Sequence, residues 1–232
     1  MSGRPLLVRR AVFGGIAAAA FVAMLILGVR YSGTHGPGRL DRAIDSRIRD
    51  HFGDHPAMLQ HLINLANPGS AVVICALLCA LFFATGRRRL AALVVLGPAA
   101  SGVLVDVVLK PLFDRRLAGA LSYPSGHTAA AASIALVVVV SMLGPSRLAW
   151  PLAVRWLIAF CAIAAAGVIA TALIAEGYHY TTDTIGGLLV AVACVLGVAL
   201  SIDAFAGRST AQKPELDTTP RPDDAMLPRV EA

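Results

Sequence analysis

Six apolar segments run along the chain, separated by shorter polar stretches. They cover approximately residues 11–29, 70–86, 90–112, 128–144, 152–175 and 184–206. Each reaches, or nearly reaches, the ~20 residues that an α-helix needs to cross a bilayer. The first is interpreted as a retained helix, because Arg30 follows it without the cleavage pattern of a signal peptide. The pattern therefore predicts an all-α protein with six membrane-spanning helices.

The composition supports this prediction. Of the 232 residues, 57% are hydrophobic and 15% are charged, whereas a soluble domain carries about 25% charged residues. The mean hydropathy of +0.72 excludes a disordered chain and most soluble enzymes. The four cysteines lie inside apolar runs, which indicates small buried side chains rather than ligands or disulfides: Cys75, Cys79, Cys161 and Cys194.

The distribution of positive charge predicts an orientation in the membrane. A net charge of +6 is interpreted here as loop arginines that set the topology, not as a nucleic-acid surface. The run from Arg87 to Arg89 is the clearest cytoplasmic marker, and it places both termini in the cytoplasm. Residues 207–232 are rich in proline and mixed charges, so we expect a disordered cytoplasmic tail after a membrane domain at 1–206.

The polar stretch between the first two apolar segments contains a pattern of its own. Apolar residues recur there at helical spacing, with Asp and Arg between them: Leu40, Ile44, Ile48 and Phe52. This spacing predicts an amphipathic helix at the outer interface. His51 and His55, four residues apart, have a spacing that could chelate a metal, but no third ligand follows, and a solvated helix face is favoured.

Polar residues that are costly in hydrocarbon cluster at three places, and such residues usually mark function in a membrane protein. The clusters cover residues 106–116, 122–128 and 176–183. In the six-helix arrangement, all three fall at the outer face of the membrane. We therefore expect them to form a single site.

The middle cluster has the features of a helix start that binds an anion. Ser125 is placed to cap the helix, and Gly126 lets an anion approach the free N–H groups of the first turn. His127, also in the first turn, is then close enough to exchange a proton with a bound oxyanion. The alternative is a capping turn whose histidine faces lipid headgroups.

The other two clusters supply a histidine–aspartate pair and cations. His179 and Asp183 share one face of a helix if it begins there, so the carboxylate can fix the tautomer and leave one ring nitrogen nucleophilic. Lys110 and Arg115 can neutralise a phosphate, and Asp106, one turn earlier, is placed to pair with Lys110. The alternatives are an interfacial helix start and an anchor for headgroups.

These motifs together resemble the PAP2 superfamily, the type 2 phosphatidic acid phosphatases related to vanadium haloperoxidases. The resemblance covers roughly residues 60–206, and its most specific part is the run from Pro124 to His127. The second part is His179-x-x-x-Asp183 followed by Gly186 and Gly187, and the third is Lys110.

The resemblance implies a six-helix membrane bundle of the PAP2 type and a role for each residue that matches. His179 is implied as the phosphoryl-accepting nucleophile, Asp183 as its orienting partner and His127 as the general acid. The implied phosphate contacts are Lys110, Ser125 and Gly126.

Two departures from the family pattern concern arginines. The first motif has Arg-Pro where this chain has Leu117 and Ala118, and the third has Ser-Arg where it has Ala172 and Leu173. Arg115 is expected to replace the first missing arginine, with Arg116 as the neighbouring alternative. Glu176 is a further residue near the site that could bond a histidine or repel anions.

The sequence thus predicts a membrane phosphatase that hydrolyses lipid phosphomonoesters or diphosphates through a phosphohistidine, without metal or other cofactor. The substrates that fit the resemblance are polyprenyl phosphate or diphosphate, phosphatidic acid and phosphatidylglycerol phosphate. The lost arginines motivate an alternative: a non-catalytic relative that binds lipid headgroups, or a small transporter. No nucleic-acid partner is expected.

Overall fold

The computed structural model describes residues 5–145 and 150–211 and is almost entirely helical within them. The α-helices are α1 (Arg10–Tyr31), α2 (Arg39–Phe52), α3 (Pro56–Asn64), α4 (Pro68–Ala84), α5 (Arg88–Val103), α6 (Lys110–Phe113), α7 (Gly126–Leu143), α8 (Leu152–Ala175) and α9 (Thr181–Ala211). A π-helical turn, Leu104–Leu109, joins α5 to α6, and a hairpin of β1 (Arg116–Leu117) and β2 (Ala120–Leu121) precedes α7.

The helices confirm the prediction of a multi-pass membrane bundle. Among the described residues, five helical spans are long and apolar enough to cross a bilayer, and the α3–α4 pair, bent by 49°, raises the count to six if it is one span. Helix α4, which matches the segment predicted at 70–86, is 17 residues long. The third predicted span is α5, the π-helical turn and α6 in continuous succession.

Helix α9 lies at the centre of the bundle, where it packs against α1, α5 and α7. One apolar cluster near its middle contains Leu93, Val94, Val137 and Val195, all without exposed surface. A second cluster, containing Met24, Val105 and Tyr123, lies nearer the start of α9. These clusters hold the first turns of α7 and α9 in fixed relative positions.

The opposite end of α9 anchors the N-terminal segment. The carboxylate of Asp203, which is fully buried, accepts hydrogen bonds from the backbone N–H groups of Leu6 (2.8 Å) and Leu7 (3.0 Å). Arg89 lies 3.4 Å from the same carboxylate. Helix α9 runs to Ala211, beyond the tail boundary predicted at 207, and residues 212–232 lie outside the described part of the chain.

The predicted amphipathic helix is present as α2, but its most buried residues are not the apolar ones. Asp41 and Asp45 are 0% and 1% exposed, whereas Leu40 and Phe52 are 45% and 38% exposed. Helix α2 lies against α8 and α9, so its aspartates face the start of α9. His51 lies in the last turn of α2 and His55 immediately precedes α3, so the two histidines do not share a helix.

Candidate active site

The start of α7 and the start of α9 meet at one end of the bundle. The backbone N–H of Ser125 donates a hydrogen bond of 3.0 Å to the carbonyl of Asp183. The helices approach this closely because Gly187 has no side chain: a Cβ there would collide with the carbonyl oxygen of Ser125 and lie 3.1 Å from the nitrogen of Ala129. This contact brings the middle and third sequence clusters together.

The first turn of α7 has the predicted capping geometry. Ser125 has extended backbone angles, and its Oγ accepts a hydrogen bond of 3.3 Å from the N–H of Thr128. Helix α7 begins at the next residue, so Gly126 and His127 lie in the first turn. Backbone N–H groups at such a turn, with the positive end of the helix dipole, favour an anion.

His179 lies just before α9, and Asp183 lies one turn behind it. The Nδ1 atom of His179 is 3.6 Å from Oδ2 of Asp183, and such contacts are often long in a ligand-free site. Oδ2 also accepts a hydrogen bond of 3.1 Å from the N–H of Tyr180. With Nδ1 facing the carboxylate, Nε2 is the ring nitrogen left for an incoming group.

Lys110 lies beside the first turn of α7. Its Nζ is 2.7 Å from Oδ1 of Asp106, which is the ion pair expected from their spacing. The same Nζ is 3.7 Å from the position that a Cβ of Gly126 would occupy. The π-helical turn at Leu104–Leu109 immediately precedes Lys110, and such turns are frequent at functional sites.

A tight hairpin connects Lys110 to α7. Asp114 adopts a left-handed conformation at the end of α6, and Ala118 and Gly119 both have positive φ in the turn between β1 and β2. Positive φ at both central residues is the geometry of a type I′ hairpin turn. Leu117, which occupies the family's arginine position, is therefore a half-buried strand residue.

Arg115 is fully buried among polar groups, away from the surface of the site. Its Nη1 donates to Oγ1 of Thr182 and to Oδ1 of Asp183, each at 2.6 Å, and its Nη2 donates to Oδ2 of Asp41 at 2.7 Å. The rings of Tyr31 and Tyr180 lie over its guanidinium, with centroids at 4.4 and 4.6 Å. These surroundings do not favour the phosphate role predicted for Arg115 from the sequence.

The two buried aspartates of α2 cap the start of α9. Asp41 Oδ1 accepts hydrogen bonds from the N–H and Oγ1 of Thr182, at 2.9 and 2.8 Å. Asp45 Oδ1 accepts from the N–H and Oγ1 of Thr181, at 3.1 and 2.6 Å. Burial opposes ionisation of both, but hydrogen bonds from Thr182, Gly38 and Arg115 hold the pKa of Asp41 below its usual value. Burial prevails at Asp45 and raises its pKa.

His127 is held by an amide from the start of α4. Its Nε2 lies 3.0 Å from Oδ1 of Asn67. The Nδ2 of Asn67 donates to Oδ1 of Asn64 at 2.9 Å, so Oδ1 is the atom of Asn67 that faces the histidine. Since this oxygen can only accept, the arrangement places a proton on Nε2 of His127.

Two further predicted residues, Arg116 and Glu176, form no hydrogen bond or ion pair with His127, His179 or Asp183 in the described part of the chain. Arg116 forms an exposed ion pair with Asp114 at 2.8 Å. Glu176 follows the last turn of α8, and among the described residues its side chain has no hydrogen bond or ion pair. Leu173, in the second missing arginine position, is fully buried in an apolar cluster with Leu59. Within the described residues, no group of three His, Cys, Asp or Glu side chains could hold a metal ion.

Several residues of the site have no motif that reveals them in the sequence. Asp41 and Asp45 have one weak signal: with Ile44 and Ile48 they share a face of α2. Asn67 and Thr182 carry no local signal, because their roles depend on contacts with distant elements.

Comparisons with known proteins concern the family and the fold. The family model described as the PAP2 superfamily matches residues 108–205, which confirms the resemblance seen in the sequence. Among solved structures, the fold is similar to the first transmembrane PAP2 type phosphatidylglycerolphosphate phosphatase from Bacillus subtilis, with a TM-score of 0.63 and 17% sequence identity. The match covers 86% of this chain and 98% of that one. Comparison with curated proteins finds no match.

Proposed function

We propose that this membrane protein, whose residues 108–205 match the PAP2 superfamily, is a phosphatase that hydrolyses lipid phosphates. The observation that carries the proposal is the convergence at one end of the bundle. His179, with Asp183 behind it, lies next to a helix start that bears Ser125, Gly126 and His127. A nucleophile with its orienting base, a proton donor and an anion-binding turn are the parts that phosphoryl transfer requires.

The reaction proceeds in two displacements. In the first, Nε2 of His179 attacks phosphorus and the bond from phosphorus to the leaving oxygen breaks; this oxygen belongs to the lipid alcohol in a monophosphate and to the lipid phosphate in a diphosphate. His127, which holds protons on both ring nitrogens at this stage, donates the proton on Nδ1 to that oxygen while Nε2–H stays bonded to Asn67. In the second, His127 accepts a proton from water, the water oxygen attacks phosphorus, and the P–N bond breaks to release inorganic phosphate. Asp183 stabilises the positive charge that His179 acquires during the attack.

The residues of this chain supply charge stabilisation for a metal-independent reaction. Lys110 lies beside the α7 turn, and the backbone N–H groups after Ser125 point to the same space. Ser125 and Gly126 would contact the phosphate through this turn. Asp106 positions the ammonium group of Lys110 through its contact of 2.7 Å.

The substrate is a lipid monophosphate or diphosphate at the outer leaflet. The membrane-spanning helices around the site favour a lipid over a soluble ester. The run from Arg87 to Arg89 favours a cytoplasmic position for that loop, and this orientation favours a site at the outer face. The Ala-, Val- and Arg-rich composition is typical of a high-GC bacterium and favours a polyprenyl carrier. Phosphatidic acid and phosphatidylglycerol phosphate are the competing substrates.

The test is release of inorganic phosphate by the purified protein in detergent. Polyprenyl phosphate, polyprenyl diphosphate, phosphatidic acid and phosphatidylglycerol phosphate are assayed in parallel with wild type, His179→Ala and the control His35→Ala. His35 is exposed and lies between α1 and α2. We expect release by wild type and the control, and none by His179→Ala. Equal release by all three proteins would disprove the mechanism.

One observation favours a second function, binding of lipid headgroups without catalysis. Leu117 and Leu173 stand where the family pattern has arginines, so two cations of that pattern are absent from this chain. In this case the wild type would release no phosphate from any substrate, yet would bind a short-chain lipid phosphate saturably.

A further inference from the structure

We infer that Arg115 is a positioning residue that acts through Asp183, and that Asp41 of α2 is its required partner. The inference rests on the proposed function, since it assigns a task to Arg115 within the same reaction. It replaces the phosphate-binding role that the sequence suggested for this arginine.

The first argument is the occupancy of the guanidinium. Both Nη atoms are bonded at 2.6–2.7 Å to carboxylates and a threonine hydroxyl, and its two faces are covered by Tyr31 and Tyr180. The side chain has no exposed surface. To grip a phosphate, it would have to leave two buried carboxylates without their cation, which is strongly unfavourable.

The second argument is the balance of charge. Arg115 alone would neutralise Asp183 and weaken its interaction with His179. Asp41 shares the same guanidinium, so one cation serves two carboxylates and the group keeps one net negative charge. That charge lies behind His179, which becomes positively charged as its other nitrogen attacks phosphorus.

The third argument is geometric. Arg115 Nη1 binds Oδ1 of Asp183, which fixes the carboxylate plane and leaves Oδ2 for Tyr180 N–H and His179. Thr182 Oγ1 accepts from Nη1 and donates to Asp41 Oδ1. Asp41 of α2 is thus connected to His179 through the side chains of Arg115 and Asp183, which makes α2 part of the catalytic apparatus.

The experiment is a double-mutant cycle between Arg115 and Asp183. Arg115→Lys keeps the charge but loses the planar fork, so we expect kcat to fall by about 10–100-fold, with KM and the inhibition constant of inorganic phosphate within about threefold of wild type. In an Asp183→Asn background, Arg115→Lys should lower kcat by less than about threefold. The reason is that Arg115 acts on the reaction through the Asp183 carboxylate, which this background lacks.

Two further variants test the network without removing a buried cation. Thr182→Val deletes the bridging hydroxyl at almost constant volume, and Asp41→Asn removes the second carboxylate charge. Both should lower kcat with KM retained. Matched controls on the exposed side of α2, Arg47→Lys and Asp50→Asn, should retain wild-type kcat. If size-exclusion chromatography in detergent shows that Arg115→Lys does not fold, the kcat of Thr182→Val decides whether the inference holds.

The outcomes separate the inference from the proposed function. No phosphate release by the wild type overturns the proposed function. A second outcome overturns the inference alone: the wild type releases phosphate, His179→Ala abolishes this release, and both Thr182→Val and Asp41→Asn keep the wild-type kcat. A third outcome would show instead that Arg115 binds phosphate: Arg115→Lys raises the inhibition constant of inorganic phosphate tenfold, and the losses of activity caused by Arg115→Lys and Asp183→Asn multiply in the double variant.

Discussion

At the scale of single residues, His127, the proposed proton donor, is held by a chain of amides. Gln60 Nε2 and Asn67 Nδ2 both donate to Oδ1 of Asn64, at 3.2 and 2.9 Å, and Tyr178 donates to Gln60. The contact with Asn64 therefore fixes the orientation of the Asn67 amide, and its Oδ1 accepts a hydrogen bond of 3.0 Å from Nε2 of His127. The amide chain keeps a proton on Nε2 of His127, which leaves Nδ1 for proton exchange with the substrate.

This arrangement predicts a moderate role for Asn67. Asn67→Ala removes one neutral hydrogen bond, which contributes about 0.5–1.5 kcal/mol, so turnover should fall by roughly 2–10-fold. Gln60→Ala, at the exposed end of the same chain, should have a smaller effect. The measurement is steady-state phosphate release by both variants; a larger loss for Gln60→Ala would contradict the amide chain.

Residue-level predictions from the sequence succeeded where the signal was local. The Ser125 cap and the Asp106–Lys110 pair depend on neighbours three or four residues away, and both are present. The surroundings of Arg115 could not be predicted, because Asp41 lies 74 positions earlier and belongs to another helix. A buried arginine and an exposed phosphate ligand look the same in a single sequence.

At the scale of secondary-structure elements, the close contact of α7 and α9 positions the site. Gly186 packs against Tyr123, whose ring lies 2.5 Å from the position of an added Cβ, and Gly187 packs against the backbone of Ser125. Tyr123 is itself buried and donates a hydrogen bond of 2.6 Å to the carbonyl of Met24. Its burial raises the pKa of its hydroxyl well above the usual value, so it stays a donor.

A glycine pair on α9 tests this contact. Gly187→Ala places a methyl group against the backbone at Ser125, so we expect a loss of about 1–3 kcal/mol of stability, as for overpacking, and a fall in kcat as the two helix starts separate. Gly197→Ala is the control, since nothing lies within 4 Å of its added Cβ. It should be neutral or stabilising by up to about 1 kcal/mol.

The measurements are thermal unfolding in detergent and phosphate release. A Gly187→Ala protein with wild-type stability and turnover would contradict the close packing of α7 on α9.

Helix α2 shows the limit of pattern analysis for an element. Its apolar period predicted that a helix would form, and it did. The period alone did not predict that Asp41 and Asp45, on the same face as Ile44 and Ile48, cap α9. A polar side chain of one helix can accept hydrogen bonds from the unpaired N–H groups at the start of another helix. The hydrophobic periodicity of the first helix carries no information about this contact.

At the scale of the whole molecule, the spans and the charged loops predict a topology. The prediction of an outward-facing site requires position 88 to be cytoplasmic and the β1–β2 hairpin to be external. In a cysteine-free background, Cys introduced for Arg88 should resist a membrane-impermeant thiol reagent added to intact cells, while Cys introduced for the exposed Ala120 should react. Reaction at position 88 alone would invert the topology and place the substrate in the inner leaflet.

The overall fold was the most predictable feature, because long apolar segments in lipid have one favourable structure, the helix. The break between α3 and α4 was not predicted. Asn67 follows the apolar residues of α3, and Pro68 begins α4 at an angle of 49° to α3. This break places Asn67 beside His127. The contact between them was therefore not predicted, because it depends on a feature of the fold that was not predicted.

The central claim, that His179 carries the phosphoryl group, is tested most directly by trapping the intermediate. A ³²P-labelled aryl phosphate is mixed with His127→Ala, then quenched within milliseconds. An aryl leaving group needs little protonation, so the first step continues while the second, which needs His127 as base, slows. We predict an acid-labile, base-stable label on His179 that approaches one per protein and is absent in His127→Ala/His179→Ala. Equal labelling in the double variant, or an acid-stable label, would contradict the account.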